Sequence, residues 1–113
     1  MKVFIDTIVH KSIENFYRAT LELHPALDEV TVIKKVQRLY SALESLGTYP
    51  HIYAKARYKR SWQQLGYREF ICEDFHFAYQ IYTLETGEQI VRIHEAVHSL
   101  LYHNPEDGGV VTN

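Results

Sequence analysis

Residues 52–59 read IYAKARYK, and in this stretch the spacing of the apolar side chains changes. Before it, apolar residues recur every three or four positions; within it they alternate with polar ones. A period of two is that of a half-buried strand, whose successive side chains point to opposite sides. The stretch therefore predicts a strand with an apolar underside and with Lys55, Arg57 and Lys59 on its other face.

Upstream of this stretch, the sequence predicts a short strand followed by two helices. Lys2–Ile5 suits the strand. The first helix runs from about Val9 to His24, and Pro25 ends it. The second helix runs from Ala26 or Asp28 to Leu46, where Gly47 is the natural stop. Apolar residues at helical spacing form its buried stripe, namely Val32, Val36, Leu39, Leu43 and Leu46.

Downstream, three further segments predict strands of an antiparallel sheet. They are residues 66–72, 75–83 and 89–93, and the last two are joined by a turn at residues 85–88. The predicted fold is α+β: an N-terminal strand and a two-helix hairpin packed on one face of a mainly antiparallel sheet of about four to five strands. Residues 1–103 are expected to form this single domain, and residues 104–113 a mobile tail.

Composition limits the class of protein. The 113 residues are 46% hydrophobic, which excludes a disordered or low-complexity chain. The one cysteine, Cys72, excludes an internal disulfide and a CxxC-type zinc ribbon, and it suits a small core residue. No apolar run is long enough to cross a membrane, so a soluble, cytoplasmic protein without a membrane partner is expected.

The net charge of −2 conceals an uneven distribution. Residues 45–68 carry five cationic side chains and no acidic one, whereas residues 69–113 carry eight acidic side chains against Arg92. An island of positive charge in an otherwise acidic chain indicates a local surface that binds an anion.

Several segments together resemble the RelE/ParE superfamily of bacterial toxin–antitoxin modules. The helical pair ends in Leu43, Leu46 and Pro50, and the segment 65–70 (LGYREF) is similar to the family's glycine–aromatic–arginine strand. Residues 75–82 (FHFAYQIY) resemble its central strand, and residues 90–93 (IVRI) with Val97-His98 its closing strand. The resemblance implies a small toxin held silent by an antitoxin peptide. One branch of the family cleaves mRNA in the ribosomal decoding site, and another inhibits DNA gyrase without being an enzyme.

The nuclease branch implies a site built from Lys, Arg and Tyr side chains, with no cofactor or metal. RNA cleavage by the 2′-hydroxyl needs a base, an acid and cations that stabilise charge on the phosphate. The candidates for catalysis are Lys59, Arg68, Arg92, His98 and Tyr102, with His103 as a further proton-transfer group. Aromatic and cationic residues beside them are candidates to bind RNA or an acidic antitoxin: Tyr53, Lys55, Arg57, Arg60 and Trp62.

Two alternatives remain open. The isoelectric point near 6.4 and the acidic C-terminal half disfavour binding to a polyanion, which favours the gyrase-inhibiting branch over the nuclease. Residues 94–98 read HEAVH, an HExxH pattern that on a helix binds zinc. A third ligand is missing at the usual spacing: the metzincin extension requires Gly at position 101 and His at 104, whereas this chain has Leu101 and Asn104, with His103 one position off. If the segment is a strand, the two histidines should still share a face, with Glu95 pointing away.

The remaining histidines carry no signal of a site. His10, His24, His51 and His76 have no spacing typical of catalysis or metal binding. We expect ordinary surface or half-buried roles for them.

Overall fold

The computed structural model describes residues 1–102 and shows an α+β fold. Its elements are β1 (Lys2–Ile5), α1 (Thr7–Leu23), α2 (Glu29–Ser45), α3 (Arg60–Gln64), β2 (Arg68–Cys72), β3 (Phe75–Thr83) and β4 (Gln89–His98). The four strands form one mixed sheet in the order β1-β4-β3-β2. β1 runs parallel to β4, and the other neighbours are antiparallel. Within this part of the chain, no helix has the length and apolarity needed to cross a bilayer.

The two long helices form where the apolar periodicity predicts them. α1 buries Val9, Ile13 and Tyr17, which follow one another at steps of four. α2 begins one residue after Asp28, whose carboxylate accepts a hydrogen bond from the Val30 amide at 3.1 Å and so caps the helix. The helical faces of both pack on the same side of the sheet.

The predicted strand at residues 52–59 is wrong. This segment makes only one isolated β-bridge, between Lys55 and Arg68. Two backbone hydrogen bonds form it: the Ala56 amide donates to the Tyr67 carbonyl oxygen, and the Glu69 amide donates to the Ala54 carbonyl oxygen. The alternation of burial is also absent, because Ile52 and Tyr58 are 66% and 74% exposed. The chain leaves the sheet edge early because it enters α3, for which Lys59 is the N-cap residue. A helix of five residues is too short to show a periodicity, so the sequence did not predict it.

β4 is longer than predicted and contains a β-bulge. It continues beyond Ile93 to His98, and the register shifts so that Ala78 pairs with Glu95 while Tyr79 pairs with Ile93. His94 is therefore the extra residue, and it changes which side chains face the helices. Before the bulge these are Val91 and Ile93; after it they are Ala96 and His98.

Both faces of the sheet are covered. The main core lies between the sheet and the helices α1 and α2. A second cluster lies on the opposite face, which we call the outer face: Trp62 of α3 packs there with Ala56 and Ala78, and Tyr67 and Tyr102 pack against them. The prediction of helices on one face holds for α1 and α2, whereas α3 lies on the outer face.

Candidate functional site

Three polar side chains meet on the outer face of the β2–β3 hairpin. His76 Nδ1 lies 2.7 Å from Glu69 Oε2, and the Tyr102 hydroxyl donates to Glu69 Oε1 at 3.0 Å. The His76 and Tyr102 rings stack with their centroids 3.8 Å apart. The side chains of His76 and Glu69 are only 15% and 13% exposed. We call Glu69, His76 and Tyr102 the outer-face triad.

The register of the hairpin places the first two members of the triad together. The two-residue turn at Glu73–Asp74 pairs Ile71 with His76 and Glu69 with Ala78. Glu69 and Ile71 share a face because strand side chains alternate, so Glu69 is a diagonal neighbour of His76. Tyr102 reaches them from the segment that follows β4.

Burial, followed by the hydrogen bond to Glu69 and the charge of that carboxylate, raises the pKa of the Tyr102 phenol well above its usual value. The phenol therefore stays protonated and donates to Glu69. A carboxylate that also accepts from His76 fixes a proton on Nδ1, so Nε2 is the ring nitrogen left to exchange a proton. Within residues 1–102, Nε2 has no hydrogen-bond partner. A histidine that a carboxylate orients in this way has the geometry of a general base.

Cationic side chains lie beside Glu69 of the outer-face triad. Lys55 and Arg57 line a cavity of about 190 Å³ together with Tyr58 and Glu69. Both cations are exposed, and neither has a carboxylate partner in the part of the chain that the structure describes. The positive charge predicted for this segment is thus available to an anion beside Glu69, although the segment is a loop.

Trp62, a predicted base-stacking residue, lies beneath this surface. Its side chain is fully buried, with the ring centroid 5.7 Å from that of Tyr102 and 6.0 Å from Lys59 Nζ. A buried ring has no free face for a base, so Trp62 supports the site from below. Lys59 and Arg60 lie at the start of α3, in the turn that precedes Trp62.

Three other predicted site residues lie elsewhere. The Arg68 guanidinium donates to the Tyr53 carbonyl oxygen at 2.6 Å, and the Tyr53 ring packs on Phe70 at 4.7 Å, so this pair ties the loop to β2. Arg92 pairs with Asp6 at 2.8 Å, near the edge strand β1. These contacts give Arg68, Tyr53 and Arg92 structural partners outside the outer-face triad.

The two histidines of the HExxH pattern point to opposite faces, so the expectation that they share one is wrong. His98 stacks on Phe16 of α1, with ring centroids 3.7 Å apart. His94 stacks on Tyr67 and bonds to Tyr82 on the outer face. The bulge at His94 is the cause, because this extra residue shifts the alternation of side chains by one position for the rest of β4. Among residues 1–102 no three His, Cys, Asp or Glu side chains are grouped to hold a metal ion.

Glu69 and His76 were missed as site residues by the sequence reasoning. The signal was present: a two-residue turn at residues 73–74 fixes the register, and strand alternation then places both side chains on one face. His103 and the tail at residues 104–113 lie outside the described residues.

No protein-family model, curated protein or solved structure significantly matches this chain.

Proposed function

We propose that this protein is a RelE/ParE-like toxin that cleaves messenger RNA on the ribosome. The observation that carries the proposal is the outer-face triad, in which Glu69 contacts His76 on one side and lines a cavity with the cations Lys55 and Arg57 on the other. The order of elements also supports the proposal: a strand and two long helices precede three antiparallel strands, as the sequence resemblance implies, with the short helix α3 as an addition.

The proposed reaction uses the 2′-hydroxyl of the RNA as nucleophile. His76 Nε2 takes the hydroxyl proton, and Glu69 stabilises the resulting imidazolium. The 2′-oxygen bonds to phosphorus and the bond to the 5′-oxygen breaks, which leaves a cyclic phosphate. Arg57 stabilises the negative charge that develops on the phosphate oxygens, and the Lys55 ammonium gives a proton to the departing 5′-oxygen. Tyr102 keeps the Glu69 carboxylate in place.

Cell-free translation with a labelled message tests this mechanism. The wild-type protein should cut the message, and His76→Ala should lower the rate of cutting about 10²–10⁴-fold, the usual contribution of a general base. His24→Ala is the matched control, since His24 is an exposed histidine between α1 and α2 and should change nothing. Lys55→Ala combined with Arg57→Ala should also remove cutting. Intact messages with the wild-type protein would refute the nuclease.

A second candidate is a non-enzymatic inhibitor of DNA gyrase. Arg68 and Arg92, two cations predicted for catalysis, are held by contacts within the protein, and residues 69–113 carry a strong excess of negative charge. Both features favour protein binding over attack on a polyanion. In that case the protein should block supercoiling by gyrase in vitro and leave messages intact.

Both candidates include a cytoplasmic location and an antitoxin partner. The exposed cations Lys55 and Arg57 favour an acidic antitoxin segment over this surface, which would silence the toxin by covering the outer-face triad. If so, Lys55→Ala combined with Arg57→Ala should weaken capture of the antitoxin, and the weakening should grow smaller as salt rises.

A further inference from the structure

A cavity on the helix-facing side of the sheet lies between α1 and the end of β4. Its volume is about 610 Å³, within the range of about 300–1,000 Å³ that is typical of small-molecule sites. Apolar side chains dominate the lining, including Phe16, Ala19, Leu23, Phe75 and Leu100. No described residue of the lining is Lys, Arg, Asp or Glu.

His98 is the one buried polar side chain in this lining. Its residue is 9% exposed, and its ring stacks on Phe16. The Leu100 amide donates to His98 Nδ1 at 3.1 Å. Nδ1 is therefore an acceptor, and the proton of the neutral ring is on Nε2. Burial lowers the pKa of His98, more strongly than the charge of Asp74 raises it, which keeps the ring neutral. The hydrogen bond that His98 makes among residues 1–102 is at Nδ1, and Nε2 is not one of the fully enclosed unpaired atoms, so Nε2 is open to the cavity.

We propose that this cavity binds a small, uncharged, mainly apolar molecule whose carbonyl oxygen accepts a hydrogen bond from His98 Nε2. A lining without Lys, Arg, Asp or Glu gives little compensation for an ionised ligand, and an unpaired donor on a nearly buried ring favours a ligand that brings one acceptor. The concave, buried floor formed by Phe75 and His98 favours a small molecule over a flat protein surface. The site lies on the opposite face of the sheet from the outer-face triad and does not depend on the proposed toxin activity.

A titration of the full chain with two probes of equal shape tests the proposal. Acetophenone carries a ketone oxygen, and α-methylstyrene has a methylene group in its place. In amide NMR spectra both should shift residues of the cavity lining. Acetophenone should bind about tenfold more tightly, the gain expected of one hydrogen bond to a buried donor. His98→Phe should abolish this difference between the probes.

Two tryptophan variants on α1 provide the matched control. Ala19→Trp fills the cavity from an exposed helical position and should abolish binding of both probes, whereas Lys11→Trp, outside the lining, should leave it unchanged. The proposal is overturned if no lining residue shifts, if the wild-type protein binds both probes equally, or if Ala19→Trp still binds them. It is also overturned if sedimentation shows that the cavity is closed by a dimer that Ala19→Trp dissociates.

Discussion

At the scale of single residues, the turn between β2 and β3 is held in a conformation that its side chains disfavour. Glu73 and Asp74 have φ angles of 50° and 67°, a region that glycine adopts far more readily. Two-residue hairpins need such angles because the twist of the turn must match that of the strands. Tertiary contacts support the turn: Arg38 pairs with Glu73 at 2.8 Å, and the Asp74 carbonyl accepts two bonds from Ser99.

Replacing Asp74 with glycine should stabilise the protein. The substitution removes the steric cost of a Cβ at positive φ and keeps the backbone bonds to Ser99, for a net gain of about 0.5–1 kcal/mol in the free energy of unfolding. The 3.8 Å pair with Lys35 is exposed and contributes little. Urea denaturation measures the change. Asp74→Ala is the control, because it retains the Cβ; a glycine variant less stable than the alanine variant would contradict the argument.

At the scale of elements, α2 shows how a predicted stripe becomes a packed face. Leu39 and Leu43 are fully buried against the sheet, whereas Val30, on another side of the same helix, is 56% exposed. The end of α2 is fixed by a close approach: a Cβ on Gly47 would overlap the Met1 carbonyl oxygen. The backbone φ of Gly47 is not positive, so any residue could adopt its conformation. Glycine is needed there because a side chain would not fit.

Truncation of the buried stripe should therefore cost far more than truncation of the exposed side. Leu39→Ala should lower the free energy of unfolding by about 2–5 kcal/mol, because it removes transfer energy and leaves a cavity. Val30→Ala should change it by less than about 0.5 kcal/mol. Chemical denaturation of both variants gives the comparison. Equal losses would show that the α2 stripe does not form the core.

At the scale of the whole molecule, the N-terminal strand β1 pairs with the C-terminal strand β4. β1 pairs in parallel with β4, and Asp6, directly after β1, bonds to both Arg92 and His94 of β4. Burial of the Asp6 carboxyl opposes its ionisation. The hydrogen bond and charge of Arg92, together with those of His94, outweigh that effect, and the pKa of Asp6 falls below its usual value.

This lowered pKa predicts a pH-dependent loss on substitution. A carboxyl with a depressed folded-state pKa stabilises the fold above its unfolded pKa, about 3.9, and that stabilisation is lost as the pH falls through the lower folded value. Asp6→Asn should therefore be less stable than the wild type at pH 7 and close to it near pH 2. Urea denaturation at both pH values measures the difference.

Glu22 provides the control for this experiment, because it is exposed and makes no ion pair in the described part of the chain. Glu22→Gln therefore removes one negative charge, as Asp6→Asn does, without breaking a contact. A deficit of Asp6→Asn that did not change with pH would assign the role of Asp6 to packing.

Local patterns determined much of this fold. The 3.6-residue stripe of α2, the strand of residues 75–83 and the first strand follow from the sequence because each depends on neighbours close along the chain. The stretch at residues 52–59 shows the limit of that reasoning. Apolar and polar residues do alternate in its sequence, yet the segment forms a single bridge and then enters α3. No local pattern shows that helix formation at Arg60 ends the pairing with the sheet.

The candidate site depended on tertiary structure. One inserted residue in β4 sends His94 and His98 to opposite faces, and the hairpin register brings Glu69 to His76. Strand pairing couples residues distant in sequence, and a shift of one position reverses every side chain beyond it. The sequence alone determined the two long helices, the strands β1 to β3 and the island of positive charge. The packed sheet decided which polar groups meet, because contacts across strands are set by register.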